Sequence, residues 1–274
     1  MSMNSQLIVV APDEVVKATK EAEAATEQPK KDFDFMDFAE KTAKIVLQGN
    51  VIASAIVGAT EAVIALAKAR QSGLNIRQVS HTEAATLTFP PGHPRDGTLY
   101  VAHPAAKGVY FTVASFHRLA FEHKFSEAID LLMSLGATDI KVEHVRGWSR
   151  EFAAHLSAPI PEATSSAELS GKQSSTSSLL YEASLPGNTR PCLPESLVWY
   201  PHEPMWQSIA KGRIEHGLGQ FSLSVNYEDD FSVNAGLKVT ATKAGLELGG
   251  SFEDHRATTW TIRGKFLPVL VKAS

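Results

Sequence analysis

A long apolar segment without proline limits the folds open to this chain of 274 residues. Residues 45–67 consist mostly of Val, Ile, Leu, Ala and Gly. They lie inside residues 33–73, which contain no proline and end at a natural helix stop, Gly73. The pattern predicts one helix of about forty residues, roughly 60 Å long at 1.5 Å per residue. A helix of that length calls for a bilayer, a bundle or a coiled coil.

Five polar side chains fall on one side of this predicted helix, at intervals of four and seven residues: Asn50, Ser54, Glu61, Lys68 and Ser72. They form a single polar line on an apolar cylinder. An acid inside a membrane indicates a polar interior, so Glu61 predicts a pore lining in a bilayer, or a helix seam in a bundle. Six small residues give the spacing that lets helices pack closely: Gly49, Ala53, Ala55, Gly58, Ala59 and Ala62.

These observations lead to a first hypothesis about function. Because the chain has one such segment, a pore requires several copies. We therefore predict a homo-oligomeric membrane protein, an ion channel lined by helices and gated by an α+β sensor region that binds an unknown ligand. The layout is similar to that of bacterial immune effectors in antiviral defence, which join membrane helices to a sensor domain. The alternatives are a soluble, cytoplasmic oligomeric binding or scaffold protein held together by the long helix, and an enzyme.

The remaining sequence predicts an α+β fold with a mixed sheet and two helix–strand units. We expect five segments: a polar N-terminal tail (1–32), the long helix (33–73), a first α+β part (74–161), a Ser/Thr-rich linker or loop (162–178) and a second α+β part (179–274). Helical spacing predicts a helix from about 115 to 136, and alternation predicts strands near 138–148, 178–185, 221–227 and 258–266. Residues 235–248 fit either a helix or a strand.

Composition and motifs argue against several classes of protein. The net charge of −4, with no basic half, carries no strong nucleic-acid signature. The one cysteine, Cys192, leaves no internal disulfide and no multi-cysteine zinc site. Phosphate-binding, zinc-protease and serine-hydrolase motifs are absent from the sequence. His117 and His123 lie six residues apart, which is not metal-ligand spacing on a helix. We therefore predict no catalytic residue, no cofactor and no metal ligand.

The stretch WYPHEPMW, residues 199–206, contains the best candidate for a binding surface. Rigid aromatic side chains make good anchors in protein interfaces. We predict a binding rim built from Trp199, Tyr200, His202, Glu203 and Trp206. In the enzyme alternative, the adjacent His202 and Glu203 would form an unrecognised site.

Overall fold

The computed structural model describes residues 7–24, 64–148 and 179–268 of the chain. It confirms an α+β fold, with two four-stranded sheets. The strands are β1 (Leu7–Ala11), β2 (Ile76–Ser80), β3 (Leu99–Ala102), β4 (Tyr110–Thr112), β5 (Ala137–Arg146), β6 (Leu179–Ser184), β7 (Gln220–Tyr227) and β8 (Thr258–Phe266). The helices are α1 (Asp13–Ala24), α2 (described over 64–71), α3 (His81–Ala84), α4 (Phe116–Ser134), α5 (Pro204–His216) and α6 (Ala235–Ala244).

The described residues form two compact units. Unit 1 comprises residues 7–24, 64–120 and 230–255, and unit 2 comprises residues 121–148, 179–229 and 256–268. The boundary between them falls inside α4, after Ala120.

The sheet of unit 1 has the order β2-β1-β3-β4, in which β1 is parallel to β2 and the other pairs are antiparallel. All five residues of β1 are buried, as expected for the apolar run Leu-Ile-Val-Val-Ala in a strand covered on both faces. The polar tail predicted for residues 1–32 therefore does not describe residues 7–24, which supply this strand and α1. Five apolar residues are too few for a stable helix and enough for a central strand.

The end of the long apolar segment packs against this sheet. Leu66 and Ala69 of α2 share one core cluster with Leu7 and Val9 of β1. Gly73 ends the helix, as predicted: its φ is +90°, and its N–H donates to the Arg70 carbonyl at 3.0 Å. The next N–H, that of Leu74, donates to the Ala69 carbonyl at 3.1 Å. These two bonds form the Schellman arrangement that satisfies the last helical carbonyls.

The prediction of a long N-terminal helix in a membrane is wrong. The first helix of the described chain, α1, has twelve residues. In the parts of the chain that the structure describes, no helix is long and apolar enough to cross a membrane. This finding overturns the gated ion channel and its role in antiviral defence. The physical reason is visible in α2, where Ala- and Leu-rich sequence buries its apolar face on a sheet. Most of the predicted helix, residues 33–63, lies outside the described residues.

The sheet of unit 2 is antiparallel throughout, in the order β6-β5-β8-β7. The strands predicted from alternation are confirmed, and β7 shows why: its odd-numbered residues are buried and its even-numbered residues are exposed. β5 is irregular, with register shifts after Val142 and after His144.

Residues 235–248, which fit either a helix or a strand, form α6 over Ala235–Ala244. Asn234 caps the helix by accepting from the N–H groups of Gly236 and Leu237. Gly245 ends it in the left-handed conformation, with φ at +91°. The alternation that favours a strand continues only as an isolated bridge between Glu247 and Thr98.

The sheet of unit 2 depends on one glycine, which gives the first prediction. A Cβ on Gly264 of β8 would overlap with the Asp139 carbonyl oxygen and lie 2.6 Å from Cζ of Phe221. We expect G264A to lower the free energy of unfolding by about 2–4 kcal/mol in urea titrations, because two strands must move apart. G219A is the matched control, since a Cβ there meets nothing within 4 Å. Equal stability of both variants would contradict this packing.

Candidate functional site: the 199–205 segment

The 199–205 segment, WYPHEPM, combines a turn with the start of a helix. Tyr200–His202 form a single 3-10 turn with Pro201 in its first positions, and Pro204 begins α5. Proline fixes φ near the helical value and lacks the N–H that would be unsatisfied there, so both prolines suit these positions. The sequence thus folds the segment into two short, stiff turns.

A buried carboxylate holds the start of this segment. Glu127 of α4 is only 7% exposed. Its oxygens accept from three consecutive backbone N–H groups, those of Val198 at 2.9 Å, Trp199 at 2.9 Å and Tyr200 at 2.8 Å. Charge-assisted bonds of this kind offset the desolvation of a buried acid and fix the backbone that donates them.

A second charged side chain of α4 holds the other end. Lys124 Nζ lies 2.5 Å from Glu203 Oε1, and it also donates to the Asn226 carbonyl of β7 at 2.7 Å. The same ammonium lies 5.2 Å from the centre of the Trp199 ring, within range of a cation–π contact. Glu203, the acid of the site that the enzyme alternative requires, therefore engages Lys124 of α4.

Two further side chains complete the support. Gln207 Nε2 donates to the Tyr200 carbonyl at 2.9 Å and to the Pro201 carbonyl at 3.1 Å. Trp199 Nε1 donates to His123 Nδ1 at 3.1 Å. The backbone of Trp199, Tyr200 and Pro201 is consequently tied to unit 2 by side chains from α4 and α5.

The structure divides the predicted binding rim into anchors and displayed residues. Trp199 and Trp206 are 6% and 0% exposed, so these two aromatic rings belong to the core. His202 is exposed, while Tyr200 and Glu203 are partly buried. Met205, which the sequence reading omitted, is 64% exposed and extends the displayed surface. The first turn of a helix that begins at Pro204 places consecutive residues on different faces, which separates Met205 from Trp206.

The residues predicted to line a pore or a helix seam lie mostly outside the described chain. Asn50, Ser54 and Glu61 are not among the described residues. Lys68 and Ser72 are exposed near the end of α2, where Ser72 Oγ donates to the Lys68 carbonyl at 3.0 Å. The helix-packing residues are all outside as well: Gly49, Ala53, Ala55, Gly58, Ala59 and Ala62.

A polar cluster that the sequence reading missed lies in unit 1, where the parallel strands β1 and β2 end. Thr82 donates to Asp13 through its N–H at 3.2 Å and its hydroxyl at 2.7 Å. Hydrogen bonds from Ser80 and Thr82 lower the pKa of the Asp13 carboxyl. His81 Nε2 lies 2.6 Å from Asp96 Oδ1, with both side chains about half exposed. Ligands often bind at the carboxyl ends of parallel strands. The cluster could not be predicted because the sequence alone does not show that β1 pairs with β2.

Residues 92–97, GHPRDG, form a loop that folds back on unit 1. The Tyr100 hydroxyl, which is buried, lies 2.7 Å from His93 Nδ1 and accepts from the Arg95 N–H at 2.8 Å. One ring nitrogen of His93 and the Arg95 backbone are thus used to hold the loop.

His117 is fully buried in unit 1. Its Nε2 lies 2.5 Å from the Val233 carbonyl, and its ring centre lies 5.0 Å from that of His255. Burial is the main cause that lowers the pKa of His117; the bond to Val233 opposes it, and the neighbouring His255 adds to it. Asp230 and Asp254 also face this pair of imidazoles.

No cluster of three or more His, Cys, Asp or Glu side chains that could hold a metal ion occurs in residues 7–24, 64–148 and 179–268. Comparisons with protein-family models, curated proteins and solved structures find no match to this chain.

The Glu127 anchor gives the second prediction. In Glu127→Gln one acceptor oxygen is replaced by an NH₂ group that faces the segment's N–H donors. We expect a loss of about 1–3 kcal/mol in urea unfolding and faster amide hydrogen exchange at Val198, Trp199 and Tyr200. Glu215→Gln, which removes the charge of an exposed acid on α5, should change neither. Unchanged exchange in E127Q would show that the carboxylate does not hold the segment.

The third prediction concerns pH and His117. The folded-state pKa of His117 lies below the ordinary value near 6.5, so the stability that its neutral form contributes is complete above that pH. It is lost as the pH falls toward and through the folded-state pKa, by at most about 1.4 kcal/mol per pH unit. We expect H117Q to lose less unfolding free energy than the wild type between neutral pH and pH 5. An identical pH dependence in both proteins would exclude His117 as a source of the slope.

Proposed function

We propose that this chain is a binding protein that presents the 199–205 segment to a partner protein. The observation that carries the proposal is the bonding of three consecutive N–H groups to Glu127, which fixes the backbone before any partner arrives. Tyr200, His202 and Met205 are then displayed from a rigid base. This proposal adopts the binding or scaffold alternative predicted from the sequence. Its recognition surface lies in unit 2.

Preorganisation is the physical reason to expect function here. Ordering a loop on association opposes binding by a cost that grows with each immobilised side chain, and a segment that is already ordered avoids most of it. Met and Tyr are enriched in interfaces, where Met adapts to irregular pockets and Tyr contributes both apolar area and a hydroxyl.

The chemistry of the displayed residues indicates the kind of partner. The exposed atoms are a thioether, an imidazole and the edge of a phenol, flanked by the exposed rings of Pro201 and Pro204. Glu203 has its charge engaged by Lys124, so the centre of the surface is apolar with polar tips. A complementary partner offers an apolar pocket with hydrogen-bonding groups at its rim.

The fourth prediction tests this surface by comparing two exposed methionines, Met205 in the segment and Met133 on α4. Full-length protein, immobilised, is incubated with lysate of its source cells, and retained proteins are quantified by mass spectrometry. We expect a retained protein whose recovery falls about tenfold with Met205→Ala or His202→Ala, as for interface residues near a hot spot.

Met133→Ala is the control for this experiment, because Met133 is also an exposed methionine, at 38%, but lies on α4 away from the segment. It should retain the partner like the wild type. A set of retained proteins that is the same for M205A, H202A, M133A and wild type would overturn the proposed function.

A further inference from the structure

β7 is an edge strand that lacks the usual protection against pairing. It lies at one end of the unit 2 sheet, and its sequence QFSLSVNY contains no charge, no proline and no glycine. It pairs with β8 through all eight residues without a register shift. Exposed edges offer unpaired backbone groups to other chains, so proteins usually protect them with charges, prolines, bulges or short length.

The other edges of the described sheets carry such protection. β2 contains Arg77, and β4 is three residues long. β6 contains Glu182 and lies against a register shift in β5. Among the described strands, β7 is therefore the edge best suited to pair with another chain.

The hydrogen bonds identify the backbone groups that β7 directs outward. The Gly219 carbonyl accepts from the Phe266 N–H at 2.9 Å, which places the odd-numbered residues in the ladder with β8. The even-numbered residues consequently direct N–H and C=O away from β8. Asn226 agrees, because its carbonyl is reached by Lys124 from outside the sheet. The side chains of these even-numbered residues are all exposed and uncharged: Gln220, Ser222, Ser224 and Asn226.

We propose that β7 pairs with β7 of a second copy of this chain, antiparallel about a twofold axis at Leu223, so that two four-stranded sheets become continuous. In this register Ser222 lies opposite Ser224 of the second copy, and Gln220 lies opposite Asn226. The outward backbone groups of Ser222 and Ser224 then meet those of the other strand, while the Asn226 carbonyl opposite Gln220 also accepts from Lys124. A second copy fits because an uncharged edge meets itself without like charges, and opposed hydroxyl groups stabilise the pair.

The interface is one strand pair and is small. We expect a dissociation constant on the order of 10 µM, typical of weak and transient contacts. The 199–205 segment takes no part in the pairing, so dimerisation and partner binding can fail independently.

The test uses the full chain and sedimentation velocity at concentrations that bracket this value. The wild type should move from a mass of 29.6 kDa toward twice that mass. S222K/S224K opposes two lysines at each Ser222–Ser224 position and should weaken the dimer at least about tenfold. S222E/S224K opposes unlike charges at the same positions and should restore it.

S184K is the matched control, because Ser184 is an exposed serine on β6, the opposite edge of the same sheet. It should dimerise like the wild type. Hydrogen exchange adds a readout of register: amides of Ser222 and Ser224 should gain protection as the concentration rises, while those of Leu223 and Val225 are protected throughout by β8. A wild type that stays monomeric at every concentration overturns the proposal. So does a dimer that S184K weakens as much as S222K/S224K does, or one that S222E/S224K fails to restore.

Discussion

The arrangement of unit 2 depends on two charged residues on one face of α4, Lys124 and Glu127. Glu127 is a buried acid, and burial of a carboxylate opposes folding strongly unless it is hydrogen-bonded. Three backbone N–H groups meet that need, and by doing so they fix where residues 198–200 run. One turn earlier, Lys124 divides its donors between Glu203 and the Asn226 carbonyl. The helix therefore holds both the 199–205 segment and the end of β7.

Part of this architecture could be predicted from sequence because it depends on local periodicity. β7 and β8 alternate apolar and polar residues, and the helical spacing of α4 is equally regular, so these elements were confirmed near their predicted places. The prediction of a long membrane helix was wrong because hydropathy does not distinguish two cases. An Ala- and Leu-rich helix has nearly the same hydropathy whether it packs on a sheet or lies in lipid. Only the neighbour of α2, the buried strand β1, distinguishes these cases, and β1 lies more than fifty residues earlier in the chain.

The candidate site was predicted in place but not in detail. Aromatic residues and prolines drew attention to residues 199–206. Which rings face the core depends on where α5 begins, and Pro204 places Trp206 inward and Met205 outward. The anchor could not be predicted, because Glu127 is seventy residues away and an acid within an amphipathic helix is normally solvated. The burial of His117 in unit 1 could not be predicted from the sequence either, because it depends on contacts with Val233 and His255.

Lys124 also limits two surfaces of unit 2, the 199–205 segment and the outward edge of β7. By engaging Glu203 it neutralises the acid beside His202 within the displayed segment. By donating to the Asn226 carbonyl it occupies the last outward acceptor of β7, so that an incoming strand meets free backbone groups mainly at Gln220, Ser222 and Ser224. A carbonyl can accept twice, so pairing with Gln220 of a second copy is weakened and not prevented. The register centred on Leu223 places the Ser222 and Ser224 positions, which Lys124 leaves open, at the middle of the interface.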